Sequence, residues 1–340
     1  MTPRDRVIRT LNHQPIDRAP RDLWLLPGVE SDQSDDVAEM NVRFPTDILH
    51  LDLRWPAGKR TKGTAGKSAH YTDAWGCTWQ LGSRGGVGPL VESPLTDVAK
   101  VAEYEPPAEL LEAGRFTKVN RSCEGTTRFA LAWSEVRPLD RLQFLRGAEA
   151  LVAELSGSNK ELRRLLGRID EFFRRELELW GRTEVDGVVI CDDLGGPSLP
   201  RISPKIWRNL LKPLYSQYCN ILHAQDKFAF FHGEGPITDV LGDLVEVGFD
   251  AVHCQLFQTD FDKLAEQYRG RVTFWSEIDG RTIEPAGSVQ AIRETVLRVR
   301  KALDFGAGGV IARYLWAPGT PLRNVVAFFE PWMIPLPVAV

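Results

Sequence analysis

The chain has 340 residues, 43% hydrophobic and 26% charged, an ordinary globular composition long enough for one large or two small domains. A formal charge of −4, with Lys and Arg spread along the chain, excludes a general attraction to nucleic acid or to an anionic membrane. Cys77, Cys123, Cys191, Cys219 and Cys254 are odd in number, widely spaced and without CxxC, so a disulfide framework or zinc finger is not expected.

The N-terminus is charged from its start and no later stretch is apolar enough to span a bilayer, so the sequence predicts a cytoplasmic protein with reduced thiols. Residues Pro3 to Leu11 form an amphipathic helix, with Thr2 as N-cap, Pro3 at the first position and Val7, Ile8 and Leu11 as its apolar stripe. Pro15 and Pro20 end it and lead into strands at Arg21 to Leu26 and Asp47 to Leu53. The Gly-, Lys- and Thr-rich run from Trp55 to Lys67 reads as a surface loop. His70 to Leu81, aromatic and β-branched around a Gly, reads as an inserted hairpin, and Pro89 to Pro107 as a connector with little regular structure.

From Phe129 the pattern becomes rhythmic. Strand candidates at Phe129 to Trp133, Gly187 to Asp192, Phe228 to His232, Ala251 to Gln255, Val272 to Ser276 and Gly309 to Tyr314 alternate with helical stretches. Those are Glu149 to Leu155, Glu161 to Trp180, Pro204 to His223, Pro236 to Val247, Asp260 to Tyr268 and Val289 to Phe305. With the two early strands this makes eight, which predicts an α/β chain folded as a single (β/α)8 TIM barrel over residues 1 to 340, with an N-terminal helix and an inserted hairpin. No GxGxxG follows the first strand to support a dinucleotide fold.

In such a barrel the chemistry sits where the strands end. The run KFAFFHGEG puts His232 and Glu234 on one side of a strand end, two residues apart. The other strands close on Asp47 and Asp52, Ser134 and Glu135, Cys191, Asp192 and Asp193, His253 and Cys254, Glu277 and Asp279, and Arg313 and Tyr314. His232, Glu234 and either Cys254 or Glu277 make a three-ligand set for a catalytic zinc with one open position. The same residues also suit a metal-free site in which Arg313 holds a carboxylate and an Asp moves protons. Trp24, Trp75, Trp79, Trp133 and Trp316 are the aromatics expected nearby. The apolar end PWMIPLPVAV leaves docking on its own barrel or on a second subunit open.

The segments TPRDRVIRTLNHQPIDRAP, TDAWGCTWQLG, FLRGAEALVAEL, DGVVICDDLGGPSLPRISPKIWRNLLKPLYSQ, FHGEGPITDVLGDLVEVGFDAVHCQ and RVTFWSEID, in that order, resemble the uroporphyrinogen decarboxylase superfamily. That resemblance implies a (β/α)8 barrel and one of two activities, heme-pathway decarboxylation or corrinoid-dependent methyl transfer. The decarboxylases carry an arginine-rich M-R-Q-A-G-R after the first strand, where this chain has LWLLPGVES, and a Gly-His-Gly after the last, where it has RYLWAPGTP. Asp47 in FPTDIL resembles their F-S-D-I-L aspartate. The methyltransferases carry a zinc site of His-x-Cys with a second Cys after the last strand. His232 matches its first ligand, Glu234 stands where the Cys would be, and the final Cys is missing around Leu315 and Trp316. Asp192 matches an aspartate common to the methyltransferase-like members.

The expectation is a metal-dependent methyltransferase moving a methyl group between a small, methoxylated substrate and a corrinoid on a partner protein. Zinc is expected on His232, Glu234 and Cys254. Asp192, Glu277 and Asp47 are the expected catalytic residues, and Arg313, Tyr314, Trp24 and Trp316 the substrate contacts. A decarboxylase of a tetrapyrrole or other polycarboxylate, and a non-enzymatic binder of corrinoid or tetrapyrrole, are the alternatives.

Overall fold

Thr2 starts the first helix, Pro3–Leu11, as its sequence predicts: its Oγ1 accepts the Asp5 N–H at 3.1 Å, and Asp5 Oδ2 accepts the Thr2 N–H at 3.4 Å. The helix ends against a glycine turn. Gly308, at φ +81°, lies so close to Thr10 that a Cβ there would stand 2.7 Å from the Thr10 carbonyl oxygen, which accepts from Thr273 Oγ1 and the Gly309 N–H.

The computed structural model describes residues 1–53, 57–64, 69–81, 87–155, 159–194, 202–234, 237–254, 260–279, 288–304 and 306–334, with backbone alone at 87, 254 and 276–279. Its strands are β1 (Arg21–Leu25), β2 (Ile48–Asp52), β3 (His70–Thr72), β4 (Thr78–Leu81), β5 (Val87–Glu92), β6 (Phe129–Trp133), β7 (Gly187–Cys191), β8 (Phe228–His232), β9 (Ala251–Cys254), β10 (Thr273–Asp279) and β11 (Val310–Trp316). Eight of them make one sheet in the order β1-β11-β10-β9-β8-β7-β6-β2. The pairs β1/β11, β10/β11, β9/β10 and β7/β8 are parallel. The ends of that order meet, because the Asp47 N–H, just before β2, donates to the Arg21 carbonyl of β1 at 2.9 Å. This is the (β/α)8 fold that the alternation of strands and helices predicts.

The chain forms two compact units. Met1–His50, Gly125–Leu131 and Phe249–Val340 make the first, and Leu51–Glu124 and Ala132–Gly248 the second. In the first, Pro331 and Trp332 are buried and Arg300 holds the carbonyls of Pro331 and Ile334, so the start of the apolar C-terminal stretch docks on its own unit. In the second, the expected hairpin is present as β3 and β4 and gains a third strand, β5, within the stretch read as an irregular connector. Gly88 and Pro89 hide that strand from the sequence. The bulge between Trp79 and Leu81 accommodates them, as an edge strand can. The sheet lies against the helix Lys160–Gly181 through Trp75, whose ring sits 4.8 Å from Phe172 and 5.8 Å from Phe173.

The stretch read as one helix from Pro204 to His223 is two, Pro204–Leu210 and Lys212–His223. Pro213 has no N–H to continue the ladder across Leu211. The sequence reading also passes over Pro138–Arg146, whose seven buried residues include Asp140, Arg141 and Arg146 and so blur the apolar stripe.

Candidate active site

In the second unit, three consecutive strands end on chemistry-bearing residues. Trp133 closes β6, Cys191 closes β7 and His232 closes β8. Ala229, Phe230 and Phe231 are all buried because both faces of the strand are covered, and His232 at its end is half-buried. Its Nδ1 lies 3.6 Å from Cys191 Sγ and its ring centroid 5.4 Å from that of Trp133 in an edge-to-face contact. Gly233 follows because nothing larger fits, a Cβ there falling 2.4 Å from the Asp192 carbonyl oxygen.

Asp192 comes next after β7 and is fully buried. It accepts the N–H groups of Leu139 at 2.9 Å and Asp140 at 2.8 Å, at the start of the helix Pro138–Arg146, and the hydroxyl of Tyr215 at 2.5 Å. A carboxylate at a helix N-terminus with three donors is well solvated by the protein. Burial raises Asp140 and Asp192 alike, but those three donors work the other way on Asp192, whereas the Asp192 charge raises Asp140 further. Of the two, Asp192 is therefore the more readily ionised and Asp140 the more firmly protonated. Burial and the Asp192 charge push Tyr215 well up, keeping it a phenol that donates. Asp193 accepts the Glu234 N–H at 2.7 Å, which leaves Glu234 exposed beyond the strand end.

The first unit holds a polar cluster of which sequence reasoning singled out only Trp24 and Arg313. Asp22 is fully buried on β1 and opposite Arg313 in register. Its carboxylate meets His50 Nε2 at 2.7 Å, Trp24 Nε1 at 2.8 Å and Trp275 Nε1 at 2.9 Å. Burial alone would raise its pKa, but the His50 charge and hydrogen bond, Arg313 and the Trp275 N–H outweigh burial and hold it lowered. The Arg313 guanidinium lies flat on Trp24, 3.4 Å from the ring centroid. The signal was present in the sequence: an aspartate and a histidine, each inside a stretch read as a strand, need partners if buried.

Asp47 is buried before β2, where its oxygens take Arg6 Nη1 at 2.6 Å, Arg18 Nη1 at 2.6 Å and the Arg21 N–H at 2.7 Å. It ties the first helix to the sheet. Tyr314, one residue beyond Arg313, faces the helix Leu322–Phe329 with its ring 5.2 Å from Phe328. Trp316 is fully buried and donates to the Thr320 carbonyl at 3.2 Å. Trp75 and Trp79 pack in the hairpin sheet, and Trp79 donates to Asp73 at 2.9 Å. The side chains of Cys254 and Glu277 lie outside the described residues.

The expected zinc set of His232, Glu234 and Cys254 reaches beyond the described residues at the Cys254 side chain. Among the described residues no three His, Cys, Asp or Glu side chains converge closely enough to hold a metal ion. They do supply a pair, His232 and Cys191, whose 3.6 Å separation is the N···S edge of a tetrahedral site with bonds of about 2.0 and 2.3 Å. No helix among the described residues is long and apolar enough to cross a membrane.

A family model described as "Uroporphyrinogen decarboxylase (URO-D)" matches residues 70–331. No curated protein matches in sequence. Among solved structures, a methyltransferase from Methanosarcina mazei superposes with a TM-score of 0.72 at 16% identity, covering 97% of this chain and 98% of that one. A sugar phosphate isomerase/epimerase from Parabacteroides distasonis superposes with a TM-score of 0.42 at 10% identity, covering 92% and 94%.

Proposed function

Because the chain belongs to the uroporphyrinogen decarboxylase family, we propose that it is an enzyme of that family's methyltransferase kind, acting on a small substrate. The observation that carries this reading is the end-to-end likeness to the Methanosarcina mazei methyltransferase. The sequence adds to it, since LWLLPGVES lacks the arginines that the decarboxylases carry after the first strand. In this reading the methyl group leaves an oxygen of the substrate for a corrinoid on a partner protein, the corrinoid supplying the cobalt nucleophile when bound.

The chain's own groups do the remainder at the ends of β6 to β8. Trp133 gives an apolar wall and His232 a nitrogen at the departing oxygen, where it can deliver the proton that oxygen needs. Asp192 fixes the start of the helix Pro138–Arg146 against β7, with its N–H bonded to the His232 carbonyl at 2.9 Å.

The test is methylation of cob(I)alamin by a panel of methoxylated aromatics, followed by the appearance of methylcobalamin. Turnover that falls at least a hundredfold in His232→Ala is expected if this imidazole serves the reaction. Zinc analysis after chelator-free purification runs beside it, with loss of metal in His232→Ala and in Cys191→Ser as the mark of a metal held by that pair. A second reading, decarboxylation, is favoured by the family model itself. Conversion of a porphyrinogen with release of carbon dioxide, and no methylcobalamin from any ether, would move the assignment there.

A further inference from the structure

Arg137 immediately precedes the helix Pro138–Arg146 in the second unit, and the Val136 carbonyl beside it accepts the Cys191 N–H at 3.1 Å. Among the described residues its guanidinium makes no hydrogen bond and no ion pair, and its Nε is shut off from water. The arginines around it are placed differently. Arg141 Nη2 holds Glu135 at 3.0 Å, and Arg146 Nη2 holds Glu154 at 2.5 Å. The acids nearest Arg137 are committed to other donors: Glu135 to Arg141, Asp140 to the Asp193 N–H at 3.3 Å, and Asp192 to two main-chain N–H groups and Tyr215.

The guanidinium is nevertheless charged: burial works to lower its pKa, but the neighbouring acids outweigh burial and the net shift is upward, and an arginine keeps its proton in any case. This is a half-buried cation with donors unused among the described residues, next in the chain to the Val136 carbonyl that holds the Cys191 N–H. Its planar fork matches a carboxylate, two N–H bonds to two oxygens. The carboxylates around it weigh against a compact dianion such as phosphate and leave room for one delocalised negative charge, the more so because Asp140 keeps its proton.

We propose that Arg137 anchors the substrate by its carboxylate, selecting a small planar monocarboxylate that lies along Trp133 with its reacting oxygen turned toward His232. The placing of that oxygen rests on the methyl-transfer reading above; the anion anchor itself does not.

The experiment titrates the full chain, by tryptophan fluorescence and by calorimetry, with 4-methoxybenzoate and with its neutral counterpart 4-methoxybenzamide. Wild type is expected to prefer the carboxylate. Arg137→Gln should weaken the carboxylate at least about tenfold and leave the amide unchanged, and Arg137→Lys, which keeps the charge without the fork, should fall between. Equal loss of both probes in Arg137→Gln, undiminished carboxylate binding, or a wild type that binds neither probe would overturn the anchor. Should Arg137→Gln fail to fold, wild type and Arg137→Lys decide it, and no carboxylate preference in wild type overturns it. Cob(I)alamin methylation in parallel separates the two readings: a carboxylate preference lost in Arg137→Gln without any methyl transfer keeps the anchor and removes the methyltransferase.

Discussion

Glu176 is buried on the helix Lys160–Gly181, where it accepts the Glu135 N–H at 2.8 Å and Trp180 Nε1 at 3.2 Å. Burial, and next the Glu135 charge, push its pKa from 4.5 up to about 7. A carboxyl that is easier to ionise in the unfolded chain than in the folded one makes stability fall as pH rises. The contribution of protonated Glu176 is intact below about pH 4.5 and lost by about pH 7, on the order of 3 kcal/mol. Glu176→Gln, which imitates the protonated acid, should therefore gain in urea midpoint relative to wild type between pH 5 and pH 8. A difference that stays constant over that range would show that the glutamate is not the titrating group. Asp47 makes the opposite case at the same scale. It pairs with Arg6 and Arg18 inside the first unit; Arg6 keeps its two bonds to Asp17, but Asp47→Ala takes from Arg18 its carboxylate and from the Arg21 N–H its acceptor, and should cost about 3–5 kcal/mol of stability. Soluble Asp47→Ala with wild-type stability but no activity would instead place this residue in catalysis.

At the scale of elements, legibility followed burial. The runs FALAW, GVVIC and FAFFH are nearly continuous apolar stretches because both of their faces are covered, and each was readable as a strand, the first and last at their true ends and the middle one a residue too long. Pro138–Arg146 was not readable, because it buries Asp140, Arg141 and Arg146 beside its leucines and mixes charge into the face that periodicity searches for. The junction after β8 depends on a glycine that the sequence shows only as part of HGEG. Gly233 has no room for a side chain against the Asp192 carbonyl, so Gly233→Ala should push the end of β8 away from β7 and break the bond between Asp193 and the Glu234 N–H. The expected result is a loss of about 1–3 kcal/mol, with the His232 ring resonances displaced in NMR spectra. Unchanged His232 signals would mean that the strands absorb the methyl group.

Across the whole molecule, the (β/α)8 fold was legible because strand and helix periods repeat along the chain and topology rules leave few ways to arrange them. The site was legible only in part. Strand ends could be read from hydrophobicity, which placed His232 at the end of β8, Asp192 just after β7 and Arg313 within β11. Long-range partners could not, which is why Asp22, His50, Tyr215 and Arg137 came from the structure. The C-terminal stretch shows the same limit, since its apolar composition does not say what it covers. In the structure, Arg300 on the helix Val289–Leu303 is buried, stacks 5.6 Å from the Trp332 ring and donates to the carbonyls of Pro331 and Ile334, while its Nε lies 3.3 Å from Asp304. Burial raises Asp304 and Arg300 works against that rise, so removing the arginine leaves a buried acid and two carbonyls without their donor. Arg300→Ala should cost about 3–5 kcal/mol and free the residues after Phe329, seen as faster hydrogen exchange and earlier proteolysis there than in the strands. Arg300→Lys, which keeps one charge and fewer donors, should fall between the two. If proteolysis after Phe329 is no faster in Arg300→Ala, the stretch is held by the burial of Pro331 and Trp332, and the arginine only decorates a contact that apolar packing already makes.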